Sequence, residues 1–441
     1  MKADRDKPNA GYLFPELLSM IFSFAFDNGF ATLPRARAKS CQLSLRDKTS
    51  CSTVCKSWRD VAVPMLYDYV VFCHDSQLSR FLATLNHQSG TFNYRRMVKG
   101  LTVDLQYPSS DACYYTIEDI LSLCPNLTEL VYERWHSVLS GVKMVALLKR
   151  LDRSLLICLS LGRFIELSPG LLPFLQELPQ LQVLSLHFGY PLHKHGSIRL
   201  PHVTTLSLFL ISSAVPGYVL STPSLTRLSI TFAGSHSTSE DLRSDIHKIT
   251  ADIGQSLRFL GIDWEDGNGI PGAFDLNMLG PCQQLHHLVI RGVSSFVGTH
   301  ANLRFIDVWR ELRPTSDWPK AEKLDLDENQ LQVELPRAHL PSIARVRVLD
   351  DSLRPDIPEL PTILPPTRRE NESLRLHVFN RIVWDTPTMV FDEQQFGKWG
   401  RELSPPHVVD EFVSNAYKYM DVLDSDLEMG PGLGDLDGGW V

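Results

Sequence analysis

Gly267-Asn268-Gly269-Ile270-Pro271-Gly272 fits the glycine spacing of a loop that cradles a dinucleotide pyrophosphate. The fit is formal. Pro271 interrupts the helix start that would hold the phosphates, and about twenty residues on stand Ile290 and Arg291 rather than an acid for the ribose. The segment reads as a turn. His187, His193, His195 and His202 crowd one stretch, yet no cysteine or carboxylate beside His193 and His195 completes a metal set. Glu265-Asp266 reads as a solvated turn. No nucleophile elbow and no phosphate-binding loop is present. The expectation is a chain without catalytic residues, metal or cofactor.

Charge narrows the partners. The net charge is −8, and Glu402 to Val441 accounts for all of it, with nine acidic residues against the single basic Lys418. A neutral body with an acidic tail argues against nucleic acid as the ligand. No apolar run approaches the roughly 18 residues of a membrane span, and no signal peptide is recognisable, so no membrane role and a cytoplasmic or nuclear location are expected. The eight cysteines form no Cys-x-x-Cys pair and mostly sit in apolar patterns, as reduced buried thiols do.

Pro15 and Glu16 suit a first helical turn, and Leu17, Leu18, Ile21, Phe22 and Ala25 follow at helical intervals. Asp27-Asn28-Gly29 stops that helix. Cys51, Val54, Cys55, Trp58, Val61, Ala62, Met65 and Leu66 hold one face of a longer run, with a kink or break expected at Pro64. Tyr67 to Phe72 reads as a strand leading out. Leu13-Phe14-Pro15-Glu16-Leu17-Leu18-Ser19-Met20-Ile21-Phe22, followed by Val54-Cys55-Lys56-Ser57-Trp58-Arg59-Asp60-Val61-Ala62, resembles an F-box of the fungal type. Two departures stand out: a long Asp27–Leu45 connection, and Phe14 where the family usually has its first proline. The resemblance implies that Phe14, Pro15, Leu17, Leu18, Ile21, Val54 and Trp58 contact the adaptor that joins receptor to cullin. Leu18, Ile21 and Val54 could equally be the small module's own core.

Beyond it, a pattern apolar-x-x-apolar-x-apolar recurs, starting at Val98, Leu127, Leu156, Leu181, Val203, Leu225, Leu257, Leu285, Ala321 and Ile343, at spacings of 22 to 36 residues. Its alternating end is a short strand with one buried face. Proline often precedes it, as at Pro125, Pro179, Pro201, Pro223, Pro319 and Pro341. Helices are expected between strands: one from a capping box at Thr116 and Asp119, one from Ser168-Pro169 through Leu178, and one carrying Leu242, Ile246, Ile249 and Ile253. Such units resemble leucine-rich repeats, although the asparagine expected after the strand occurs only as Asn329. The resemblance implies an α/β chain, a helical F-box followed by an irregular solenoid of short parallel strands alternating with helices. Residues between the buried strand positions then line a concave face, and His187, Phe209, Thr231, Asp263, Arg291 and Asp325 are the target-contact candidates there.

The expected organisation is a terminus over 1–11, the F-box over 12–72, the repeat array over 73–351, a cap or extension over 352–413, and an acidic, glycine-rich disordered tail over 414–441. The function the resemblance implies is that of a substrate receptor of an SCF-type cullin–RING ubiquitin ligase. The alternatives are a repeat scaffold without ligase role, or an enzyme hidden in the repeats.

Overall fold

The computed structural model describes residues 14–26, 45–87, 92–105, 112–134, 141–162, 170–188, 196–211, 218–233, 239–264, 273–293, 295–310, 340–350 and 382–385. Three helices open it: α1 (Pro15–Phe26), α2 (45–54) and α3 (Lys56–Asp68). Leu18 and Phe22, one turn apart on α1, close on Ala62 of α3, with Trp58, Val61, Met65 and Cys51 packed around them. The Phe22 and Trp58 rings meet edge to face at 5.1 Å.

The helix break falls elsewhere than Pro64. It lies at Cys55, whose backbone is extended (φ −161°, ψ 172°), while α3 runs through Pro64 to Asp68. The local cause is a run of hydroxyls. Thr49, Ser50, Ser52 and Thr53 each donate to a carbonyl three or four residues back, which loosens the end of α2. The carbonyl that Pro64 leaves without its helical donor belongs to the exposed Asp60, where water can replace it.

After α3 the chain alternates strands with helices: β1 (Tyr69–Phe72), α4 (Asp75–Asn86), α5 (Tyr94–Met97), β2 (Gly100–Leu105), α6 (Ala112–Leu123), β3 (Glu129–Arg134), α7 (Gly141–Leu148), β4 (Cys158–Leu161), α8 (Leu171–Gln176) and β5 (Val183–Phe188). Then follow β6 (Gly196–Arg199), β7 (Thr205–Ile211), β8 (Tyr218–Ser221), β9 (Arg227–Ala233), α9 (Ser239–Ile253), β10 (Phe259–Trp264), β11 (Ala273–Asp275), β12 (His287–Arg291), β13 (Ser295–Val297), β14 (Phe305–Arg310), β15 (Arg345–Asp350) and β16 (Ile382–Asp385). One twelve-stranded sheet has the order β1-β2-β3-β4-β5-β7-β9-β10-β12-β14-β15-β16. Every neighbouring pair in it is parallel except β15 with β16.

The recurring sequence pattern is what sets the register. Leu101, Leu130, Leu159, Leu184, Leu206, Leu228, Leu260, Leu288, Ile306 and Val346 stand side by side across the sheet, all fully buried. A second buried column lies two residues on, from Val103 and Tyr132 to Ile290 and Val308. The first apolar residue of each unit, Val98 through Leu285, forms a third. Together with the buried faces of α4, α6, α7, α8 and α9 these columns make one continuous core. At roughly 1.5–3 kcal/mol for each large apolar side chain, this repeated burial dominates the fold.

Polar chemistry closes the gaps between units. The carbonyls of Lys99, Thr128, Ile157, Gln182, Thr204, Thr226, Arg258 and His286 each accept two backbone N–H groups from the following unit. Side chains just before the first apolar residue add a parallel set: Asn126 donates to the Arg96 carbonyl (2.7 Å), Ser224 to Pro201 (2.7 Å) and Asn302 to Gln283 (2.6 Å).

Unit length decides what lies behind the sheet. The 22-residue units that begin at Leu181 and Val203 lack room for a helix and place β6 and β8 there as a parallel pair. A unit at Leu303, unseen in the sequence, has the same pattern in Leu303, Ile306 and Val308, and before it β13 pairs with β11. Ala321 lies outside the described residues. The helix expected from Thr116 begins earlier, and the Thr116 hydroxyl donates back to the Ala112 carbonyl (3.0 Å) instead of capping.

Candidate functional sites

The N-terminal helices sort their apolar residues into two sets. Leu18 is 1% exposed and belongs to the module's own core, with Trp58 half-buried against it. Phe14 (71%), Val54 (59%), Leu17 and Ile21 are exposed, as is Pro15. Met20 and Leu45, which the sequence reading left aside, are exposed as well. The break at Cys55 explains Val54. In an unbroken helix it would share the buried face of Trp58, but the extended residue between them turns it outward. Six large apolar side chains thus stand exposed on or beside these short helices, more than the single scattered hydrophobics usual on a protein surface.

The second set lies on the sheet face opposite the core. His187 on β5 is in register with Phe209 on β7, Phe209 with Thr231 on β9, and Thr231 with Asp263 on β10. Asp263 and Arg291 on β12 approach to 3.7 Å, and Arg291 also donates to the Trp264 carbonyl (2.6 Å). Five of the six residues named for this face therefore form one row across five strands, and Asp325 lies outside the described residues. Their exposure is uneven. His187 and Phe209 are buried and stacked, ring centroids 4.6 Å apart, while Thr231, Asp263 and Arg291 are half-buried. The first two stiffen the face; the last three present polar atoms from it.

Sequence reading missed a buried pair on the same face. His287 Nε2 and Asp307 Oδ2 are 2.7 Å apart, both about 1% exposed, with Phe259 and Phe305 edge-on to the imidazole. The residues are twenty apart in sequence, and only the β12–β14 register brings them together. The pair anchors two strands at a place where either partner alone would be a costly buried polar group.

Thiols divide in the same way. Burial pushes Cys124 and Cys282 up to about 12, far from the ionised form that reacts or binds metal, whereas Cys55 is exposed. Among the described residues no three His, Cys, Asp or Glu side chains gather as a metal set, and no helix is long and apolar enough to cross a membrane. A cavity of about 590 Å³ between α4, α5 and α6 is lined in part by Phe92, Tyr94, Arg95 and Leu123. Arg95 there is held by the end of α4, donating to the Leu85 carbonyl and Asn86 Oδ1, so its first role is to close that helix. Gly267 to Gly272, His193 and His195 lie outside the described residues.

No family model and no curated protein matches the chain. Among solved structures it is similar to a Bacteroides fragilis protein determined by a structural genomics consortium, with 13% identity over 53% of this chain and 77% of that one, at a TM-score of 0.27. A likeness of that extent assigns neither fold family nor function.

Proposed function

We propose that this chain is a substrate-receptor subunit of an SCF-type cullin–RING ubiquitin ligase. In this reading the N-terminal helices are an F-box that binds the adaptor, and through it the cullin. The parallel-strand array is an irregular leucine-rich-repeat solenoid that holds a target protein. Other subunits supply the chemistry, and this chain contributes proximity, raising the effective concentration of a target lysine at the ubiquitin-loaded enzyme.

The observation that carries the reading is the division at α1. Leu18 and Phe22 satisfy the module internally, while Phe14, Leu17, Ile21 and Val54, all drawn from the adaptor-contact set, remain uncovered. A module whose only purpose was to close the end of the sheet would have no use for that second apolar set. The row Thr231, Asp263 and Arg291 supports the target-binding half, because rigid strands present it and no cofactor is needed to complete it.

A scaffold without ligase role is favoured by one observation. α3 runs directly into β1, and Tyr67 packs on Phe81 and Tyr94, so the helices also serve as an end cap. Co-purification of the full chain with the adaptor separates the two. The receptor reading expects a one-to-one complex that the double variant Leu17→Asp, Val54→Asp loses while its circular dichroism and melting are unchanged. An intact chain that ignores the adaptor would leave the scaffold reading.

A further inference from the structure

The strand-start rim of the sheet's later half carries a row of basic side chains. Arg227 opens β9, and Arg258, His286 and Arg304 each stand one residue before β10, β12 and β14. Arg227, Phe259, His287 and Phe305 are mutual register partners, so these starts follow one another at the ~4.8 Å strand spacing. Arg258, His286 and Arg304 are exposed. The Arg227 guanidinium lies 4.7 Å over the Phe259 ring and that of Arg304 5.9 Å over Phe305, which fixes both at the rim. Among the described residues neither Arg258 nor Arg304 has a carboxylate at ion-pair distance, and the acids of the adjoining face, Asp307 and Asp263, already meet His287 and Arg291. The sequence around each start, Pro223 to Arg227, Gln255 to Phe259, Gln283 to His287 and Ala301 to Phe305, contains no Asp or Glu.

The charge that complements this row is in the same chain. β16 runs antiparallel to β15, with Ile382 opposite Leu349 and Asp385 opposite Arg347, so the chain leaves β16 toward the strand-start rim. From there sixteen residues lead to Glu402, where the nine-acid segment begins. Sixteen residues span up to about 55 Å, whereas the rim from β15 back to β9 is four strand steps, roughly 20 Å. We propose that the acidic segment 402–441 docks in cis across Arg258, His286 and Arg304, so that this rim is self-occupied in the isolated chain. The contact is electrostatic and tethered, favoured by an effective concentration in the millimolar range and weakened by salt. It stands whether or not the chain serves a ligase.

Zero-length carbodiimide coupling tests it in the full chain carrying Arg304→Lys. The expected result is cross-links within monomers from position 304 to acids between Asp410 and Glu428, reduced at least fivefold by 0.5 M salt. A second measurement uses a peptide of residues 406–430. It should bind a full chain whose Asp410, Glu411, Asp421, Asp424, Asp426 and Glu428 are replaced by Asn or Gln at least tenfold tighter than it binds the unaltered chain. Adding Arg258→Ser and Arg304→Ser to the neutralised chain should abolish that binding, with melting curves confirming that all variants are folded. Cross-links absent at low salt or formed only between chains would overturn the proposal. So would a peptide that binds both chains equally, binds neither, or ignores the two arginine changes.

Discussion

The two ends of this molecule solve the problem of burial differently. Among the described residues, the N-terminal helices bury the apolar residues Leu18, Phe22, Ala62 and Val63 and leave six large ones exposed. The strand array repeats one small pattern until its leucines form unbroken columns, and among its described residues the exposed large apolar side chains, Tyr115, Val142, Leu155, Ile157 and Val297, are spread over a far longer stretch of chain. A region that buries only what it must to hold shape keeps apolar surface outside, and that surface is where the proposed adaptor would bind. A region that has completed itself can offer only its polar atoms and its edges. Each variant below would break or sharpen that comparison.

The largest effect is expected in the columns. Leu228→Ala removes a side chain buried between neighbours in the same column on both sides, and should cost about 2–5 kcal/mol in denaturant unfolding. Phe22→Ala should cost a similar amount but locally, because its cluster is separate: hydrogen exchange should accelerate in α1 and α3 while β7 to β12 stay protected. If the array loosened equally, the two cores would be one. Asp307→Ala strands the buried His287 imidazole, at roughly 1–3 kcal/mol. Gly100→Ala should cost about as much. A methyl there would overlap the Tyr69 ring, which lies flat on that glycine with its hydroxyl 3.0 Å from Thr102, and the seam between helices and sheet would have to shift.

The thiols give a pH test with a definite sign. Burial holds Cys124 and Cys282 protonated up to about 12 in the folded chain, against 9.0 for an ordinary thiol. The folded state therefore retains protons that the unfolded state releases. The contribution of these thiols is fully present below pH 9 and is lost as pH rises from 9 toward 12, by roughly 1.4 kcal/mol per unit for each thiol. Cys124→Ser and Cys282→Ser should flatten that decline. At pH 8 a maleimide should label the exposed Cys55 while Cys124 and Cys282 react only on unfolding. The smallest stability change, within about 0.5 kcal/mol, is expected for Leu17→Asp, since that side chain already faces water.

Much of the array was legible because its signal is local and periodic: three apolar positions within six residues fix a strand, its buried face and its register at once. The unit at Leu303 escaped because no proline precedes it and it follows Leu285 by only 18 residues, too few for the helix a reader looks for between strands. The pairs β6–β8 and β11–β13 escaped because three or four residues of extended chain carry no period to detect. His287 and Asp307 are linked by register alone, which no spacing in the sequence announces. At the N-terminus both helical runs were legible, but the side on which Val54 falls was not. That depended on hydroxyls between Thr49 and Thr53 competing for helix carbonyls and on one extended residue at Cys55.

We propose that the uncovered apolar set on the N-terminal helices is the docking face for the ligase adaptor. The most direct measurement is binding of the purified adaptor to the full chain, beside the full chain carrying Leu17→Asp and Val54→Asp, by calorimetry. The expected result is a one-to-one complex for the first and at least a hundredfold loss for the second at equal stability. Equal binding by both, or none by the intact chain, would contradict it.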